Sequence, residues 1–133
     1  VRSYVDWSSV EPNSPWMSSA IFAPQNRAKV ETAWREELAR SVRDGYTQAE
    51  LDEARASLLN FRRLARAQDA VVASRGVADL YLGRTFAYSQ RIDDRLAAAT
   101  LDEVNAAWRR YVDPTRMAVA WGGDFRAATP KSP

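Results

Sequence analysis

The feature that most constrains the fold of this chain is an amphipathic helix that ends at a glycine and is followed at once by a capped helix. The apolar stripe of the first helix recurs every four residues and consists of Val30, Trp34, Leu38 and Val42. With charged residues on the opposite side, this spacing predicts a helix over 25–43. Gly45 stands where a helix end needs a left-handed residue, and Thr47 with Glu50 has the spacing of a capping box. Together these signals predict a helical hairpin.

The residues before this hairpin indicate that a strand directly precedes it. Ile21 and Phe22 run into Pro24, whose fixed φ and missing N–H end a strand or open a helix. The side chain of Asn26 is then expected to accept a hydrogen bond from the first helical turn.

The whole pattern predicts an α+β fold, with a small antiparallel or mixed sheet covered on one face by four to five helices. Alternation with a period of two predicts a half-buried strand over 1–9, and small apolar residues predict a central strand over 16–23. Turn residues over 11–15 separate them, and an apolar run predicts a buried strand over 116–121. The predicted helices span 25–43, 48–67, 69–82, 86–98 and 101–112.

Two further caps and the chain ends complete this prediction. Asp69 is expected to cap the third helix, and Thr100 with Glu103 repeats the capping-box spacing before the last one. Residues 1–125 are expected to form a single domain, followed by a frayed tail over 126–133. Since the chain does not begin with methionine, we expect a fragment whose first strand or strands lie upstream.

The composition excludes several classes of function, mainly because certain residue types are absent. The 133 residues include no histidine and no cysteine, which excludes thiol nucleophiles, Ser-His-Asp triads and the common zinc sites. The net charge is only +2, and arginines alternate with acids, so no nucleic-acid surface is expected. No apolar run approaches the ~20 residues of a membrane-spanning helix. Carboxylates, Tyr, Lys and Ser remain for chemistry.

Several clusters could carry a function, and each also has a plain structural interpretation. Two acidic groups, Glu31 with Glu36-Glu37 and Glu50 with Asp52-Glu53, could form a hard-cation site or an acid/base pair. Their helical positions beside arginines favour solvated faces instead, and the same interpretation is favoured for Asp93–Asp94. The arginines of 62–66 could contact acidic peptide or lipid headgroups, or simply be solvated or lie between two halves of a protein. Gly122-Gly123-Asp124 lacks a following helix or lysine, so a strand-ending turn is favoured over a phosphate loop.

The tryptophans divide into two groups. Trp34, Trp108 and Trp121 lie on predicted core faces and are expected to pack inside. Trp7 and Trp16 flank the predicted hairpin, where a partly exposed ring could contact a partner.

The ordered combination of these motifs resembles the insulinase/pitrilysin-type zinc metallopeptidases. The resemblance spans essentially the whole chain, and its register is similar to the last domain of the second, C-terminal half. Its most specific part is Phe22-Ala23-Pro24-Gln25-Asn26 and the hairpin after it. Further matches are Glu36-Glu37-Leu38, Arg66-Ala67-Gln68-Asp69, Thr100-Leu101-Asp102-Glu103, Asp113-Pro114 and Gly123-Asp124-Phe125.

This resemblance implies half of a clamshell that closes around a peptide. The zinc signature of the family, His-x-x-Glu-His plus a distant Glu, belongs to the other, N-terminal half, so zinc is expected there and not here. The family's substrate-contacting tyrosine aligns before Val1, and Tyr4 lies several residues too late. No catalytic, cofactor-binding or metal-binding residue is therefore assigned to this chain, which is expected to be inactive alone.

The resemblance leaves two interpretations of function and a distant third. The chain could be a non-catalytic domain that forms the chamber wall and positions peptide, or an inactive scaffold that mediates assembly. A small enzyme using only carboxylates is the third. The expected partners are the zinc-bearing half and a peptide substrate, and a second copy of the chain is a third candidate partner. The expected location is periplasmic or exported, with a cytoplasmic location as the alternative.

Overall fold

The computed structural model describes residues 1–6, 8 and 13–125 and contains five helices and one two-stranded sheet in that part of the chain. The strands are β1 (Arg2–Val5) and β2 (Trp16–Ser19). The helices are α1 (Arg27–Asp44), α2 (Gln48–Ala65), α3 (Asp69–Tyr81), α4 (Phe86–Ala98) and α5 (Leu101–Tyr111). Short 3-10 turns at Pro24–Asn26 and Pro114–Arg116 precede α1 and follow α5. The predicted mixture of helices and strands is confirmed, with helix dominating.

The chain divides into two compact units. One comprises residues 1–44 together with the residues from Arg109 onward, and the other comprises Gly45–Trp108. The first unit holds the sheet and α1, and the second holds α2, α3, α4 and most of α5. A single domain, and a layer of helices over the sheet, therefore stay predictions.

The glycine stops and capping boxes are as predicted. Gly45 follows α1 with φ 76°, a left-handed conformation that other residues adopt only at a cost. The Thr47 hydroxyl accepts from the Glu50 N–H at 3.3 Å, and the Thr47 N–H donates to the Glu50 carboxylate at 2.8 Å. Thr100 and Glu103 form the same reciprocal pair at 3.3 and 2.9 Å. These local bonds satisfy donors that a helix start leaves unpaired, which fixes the boundaries of α2 and α5.

Two predicted caps are wrong. Helical structure begins at Pro24, and Asn26 is the last residue of that 3-10 turn instead of an N-cap. Gln68 occupies the N-cap position of α3 without a side-chain bond, and Asp69 is the first helical residue. A carboxylate in the first turn still stabilises the helix through its interaction with the backbone dipole. Asp69 therefore marks the start of α3, but from one position after the N-cap.

The predicted sheet is too large. β2 ends at Ser19, and residues 117–121 are irregular, so the strands predicted over 16–23 and 116–121 are respectively too long and absent. Because β1 is the one strand that pairs with β2 in the described residues, β2 is not central, and every residue of β1 is exposed. An extended segment becomes a strand only when another backbone supplies its hydrogen bonds. The end of the first predicted strand, Trp7, part of the 11–15 turn and the 126–133 tail lie outside the described residues.

Few side chains are fully covered. Among the described apolar residues, only Leu38 and Val112 are less than a tenth exposed, at 6% and 5%. Trp34, Trp108 and Trp121 are half-buried instead of lying deep in a core as predicted. The apolar faces that the sequence pattern identifies are thus real, but several remain uncovered.

In the second unit, the side chain of Asn105 near the C-terminal end binds the backbone of Tyr46 near the N-terminal end. Asn105 Oδ1 accepts from the Tyr46 N–H at 2.8 Å, and its Nδ2 donates to the Tyr46 carbonyl at 3.1 Å. The Tyr46 ring also meets Trp108, with 5.7 Å between ring centroids. The amide therefore satisfies backbone groups that the end of one helix and the start of the next leave without partners.

We predict that Gly45→Ala destabilises the fold more than Gly83→Ala does. A Cβ on Gly45 would lie 2.7 Å from Asn105 Oδ1, whereas a Cβ on Gly83 would meet no atom within 4 Å. Both glycines have positive φ, 76° and 63°, so both variants incur backbone strain of about 1 kcal/mol. Only Gly45→Ala also displaces Asn105, for a total of about 2–4 kcal/mol. Urea unfolding measures both losses, and equal values would contradict this account.

Candidate functional site

The candidate functional site is an open apolar groove in the first unit, with a volume of about 480 Å³. It is lined by β2, by one face of α1 and by the irregular segment 118–122. The side chains that give it its apolar character are Phe22, Val30, Ala33, Trp34, Val119 and Trp121. A concave apolar surface with a few polar groups at its edge is the usual form of a binding site.

The first wall of the groove is held by hydrogen bonds from two tryptophans. Trp34 Nε1 on α1 donates to Ser18 Oγ on β2 at 2.6 Å, and Trp16 Nε1 donates to Ser3 Oγ at 2.9 Å. Since alternate residues of a strand share a face, Trp16 and Ser18 point to the same side of the sheet. The Trp34 bond identifies that side as the one that faces α1.

Aromatic contacts hold the second wall. The rings of Phe22 and Trp121 meet edge to face, with centroids 5.7 Å apart and an interplanar angle of 79°. The Arg27 guanidinium lies 4.9 Å from the Trp121 ring and 5.2 Å from the Phe125 ring. Such cation–π contacts are attractive by about 0.5–2 kcal/mol. They attach the segment 118–122 to the start of α1 without making it part of the sheet.

The backbone of β2 has hydrogen-bonding groups directed away from β1. Arg2 lies opposite Ser19, and Tyr4 lies opposite Met17. The next pair of the same alternating set is Asp6 and Pro15, and there the Asp6 N–H donates to the Pro15 carbonyl at 2.9 Å. In an antiparallel ladder only alternate pairs exchange hydrogen bonds. The N–H and C=O of Trp16 and Ser18 therefore point to the opposite edge of β2, where the described chain supplies no further strand.

The acidic residues that line the groove are paired. The Glu31 carboxylate accepts from Arg35 at 2.8 Å, and Glu37 pairs with Arg40. Asp52 likewise pairs with Arg55 at 2.7 Å, and Glu50 serves the capping box. The predicted pairing with arginines along a helix is confirmed for Glu31, Glu37 and Asp52. Within residues 1–6, 8 and 13–125, no cluster of three or more candidate ligands could hold a metal ion.

Asp93 contradicts its prediction, because it is not on a solvated face. Its residue exposure is 8%, and its carboxylate binds Arg62 and also Arg66, the latter at 2.6 Å. Arg62 is itself largely covered and also contacts Ser89. The prediction failed because Arg62 is 31 positions away in the sequence, on α2, and helical spacing alone does not reveal such a partner. The neighbouring Asp94 is exposed, as expected, and accepts from Gln90 at 2.8 Å.

The arginines of 62–66 therefore have different roles. Arg62 and Arg66 hold α2 against α4 through Asp93, while Arg63 is exposed and binds Asn60 at 2.9 Å. This cluster is mainly a structural ion-pair network of the second unit. Its functional interpretation, contact with acidic peptide or lipid headgroups, gains no support from this arrangement.

The remaining sequence candidates do not converge on the groove as a catalytic set. Tyr4 is exposed on β1, and Gly122-Gly123-Asp124 forms a bend without a helix after it in the described residues. Sequence reasoning missed the groove itself, and the local sequence around Ser18, which is followed by Ser19 and Ala20, gives no signal for it. The role of Ser18 follows from its contact with Trp34, which lies 16 positions away in the sequence.

No family model, curated protein or solved structure matches this chain. In the part of the chain that the structure describes, none of the helices combines the length and the hydrophobicity needed to cross a bilayer.

We predict that Asp93→Asn destabilises the protein by about 3 kcal/mol at pH 7, because it leaves two arginines without their covered counter-ion. Burial raises the pKa of the Asp93 carboxyl group, but the hydrogen bonds and charges of Arg62 and Arg66 outweigh burial and bring the pKa below its usual value. A lowered pKa in the folded state means that the stabilisation is complete above the unfolded-state pKa and is lost as the pH falls through the folded-state pKa.

Urea unfolding between about pH 3 and pH 7 tests this prediction. The difference between the wild type and Asp93→Asn should shrink as the pH falls below about 4. Asp94→Asn is the matched control and should change the free energy of unfolding by less than about 0.5 kcal/mol. A difference that is constant across this range would show that the ion pairs with Asp93 do not carry the effect.

Proposed function

We propose that this chain is a non-catalytic C-terminal domain of an insulinase/pitrilysin-like zinc peptidase, in which it forms part of the chamber wall and positions the peptide substrate. The observation that carries this proposal is the apolar groove beside the free edge of β2. The motif resemblance points to the family, and the groove supplies a physical means of holding a peptide.

The free edge of β2 is suited to main-chain recognition. The N–H and C=O of Ser18 point away from β1 and can exchange hydrogen bonds with an added strand. Such strand addition takes its affinity from the peptide backbone and makes little demand on peptide sequence. A wall that presents substrates of different sequence to a separate catalytic half needs this property.

The groove next to this edge provides the side-chain contact. In an added antiparallel strand, the residue opposite Ser18 places its side chain on the same face as Ser18. That face is the one where Trp34 binds Ser18 Oγ, so the side chain enters the groove lined by Val30, Trp34 and Trp121. A large apolar residue at this position, with polar residues on either side, is the favoured occupant.

Hydrolysis is assigned to the other half of the protein. The chain contains no histidine or cysteine, and no cluster of three or more candidate ligands is present among the described residues, so the residues present do not fit a catalytic zinc site. The chain thus contributes backbone and apolar contacts to a peptide and carries no step of the reaction.

The second candidate function is that of an inactive scaffold of the same fold, which mediates assembly without proteolysis. It is favoured by the apolar side chains that the second unit leaves exposed, such as Leu80 and Tyr81 at 81% and 80%. A scaffold would use those faces and leave the groove empty of peptide. Peptide binding at β2 therefore discriminates between the two functions.

We predict that peptides of alternating apolar and polar residues bind the chain, and that backbone N-methylation weakens binding at every second position only. The N–H of the peptide residue opposite Ser18 points to β2, whereas those of its two neighbours point away. Loss of one such hydrogen bond should weaken the affinity about tenfold. Isothermal titration calorimetry measures the series, and a uniform effect or an absence of binding would contradict strand addition.

Substitution of Ser18 provides the matched test on the protein. Ser18→Pro removes the N–H at the free edge while leaving the ladder bonds of Met17 and Ser19 to β1 intact, and it should weaken peptide binding at least tenfold. Ser18→Ala removes the bond from Trp34 but keeps that N–H, so it controls for the lost hydroxyl and should bind within about threefold of wild type. Equal affinities for the two variants would argue against main-chain recognition at this edge.

A further inference from the structure

Beyond Asp69, its first residue, α3 carries no charged side chain on its outer face. Arg75 and Asp79, the charged residues inside the helix, lie on its covered face, and Asp79 is only 9% exposed. On the opposite face the larger side chains are almost fully exposed, namely Val77 at 70%, Leu80 at 81% and Tyr81 at 80%. The smaller members of this outer face are Ala70, Ala73, Ser74 and Ala78. The apolar face of an amphipathic helix is normally covered by another element.

Phe86 extends this face from the start of α4. Its exposed fraction is 66%, and a Cβ on Gly76 would lie 3.9 Å from its Cζ, which places the ring against α3. We call the surface formed by Val77, Leu80, Tyr81 and Phe86 the α3 face. Because a fully exposed aromatic side chain presents about 150–250 Å² and two are present, the α3 face offers on the order of 500 Å² of apolar surface. An area of this order is in the range of the largest apolar patch on a typical monomer, and such patches often serve as binding surfaces.

We propose that the α3 face binds a second copy of this chain, with the two α3 helices antiparallel. Two copies would bury on the order of 1,000 Å², which reaches the lower limit of a specific interface. A charge-free face is self-complementary, since no like charges meet when it packs on itself. This proposal is independent of the peptide groove, which lies in the other unit.

The charges at the two ends of α3 select the antiparallel arrangement. Asp69 begins the helix, and Arg84 follows its end. When two antiparallel helices cross near Val77, Asp69 of each copy approaches Arg84 of the other, and the helix dipoles also oppose each other favourably. A parallel arrangement would bring residues of like charge together. Small side chains at 70, 73, 74 and 78 allow the helices to approach closely.

Sedimentation equilibrium tests the proposal with the full chain at about 10 to 200 µM. The wild type should shift with concentration from 15.0 kDa towards twice that mass. Val77→Arg should weaken dimerisation at least tenfold, because it places two like charges at the crossing point. Since Val77 is exposed, this variant should keep the circular dichroism spectrum of the wild type. Ile21→Arg, at a fully exposed residue of the other unit, is the matched control and should dimerise as the wild type does.

Cross-linking tests the orientation, since the chain contains no cysteine of its own. A mixture of Asp69→Cys and Arg84→Cys chains should form mixed dimers with a short bis-maleimide, and neither variant alone should cross-link efficiently. A wild type that stays at 15.0 kDa across the whole concentration range would overturn the proposal. A dimer that Val77→Arg does not weaken, or that cross-links only within each single variant, would do so as well.

Discussion

The structure of the first unit depends on the register of its one antiparallel ladder. The pairing of Arg2 with Ser19 and of Tyr4 with Met17 turns the backbone groups of Trp16 and Ser18 outward. A shift of one residue would reverse this arrangement and also move the Ser18 side chain away from Trp34. The register thus places a free strand edge beside apolar side chains, and the Trp34–Ser18 bond identifies the face of the sheet on which they lie.

Both units leave apolar side chains exposed. A domain of this length normally buries about two thirds of the surface of its unfolded chain, yet only Leu38 and Val112 among the described apolar residues are nearly inaccessible. The groove and the α3 face are two of the places where apolar side chains remain uncovered, and Phe61 and Tyr111 are also exposed. We infer that the groove and the α3 face are each completed by another polypeptide, a peptide strand in one case and a second copy in the other.

Features that depend on neighbouring residues could be predicted from the sequence. Features that depend on contacts between residues far apart in the chain could not. Helix ends were correct to within about two residues, because Thr47, Glu50 and Gly45 act on backbone groups beside them. The strand expected over 116–121 was wrong, since an apolar run cannot show whether another backbone will pair with it. Asp93 was placed on a solvated face because its partner Arg62 lies on another helix. The groove depends on the same kind of distant contact and could not be located from spacing.

Amide hydrogen exchange within β2 tests the central claim most directly. In the free protein the N–H groups of Met17 and Ser19 are bonded to β1 and should be protected, whereas the N–H of Ser18 should exchange rapidly. Addition of an alternating apolar–polar peptide should slow the exchange of Ser18 at least tenfold and change its neighbours little. A Ser18 amide that is already protected without peptide, or that stays unprotected at saturating peptide, would contradict recognition at the free edge of β2.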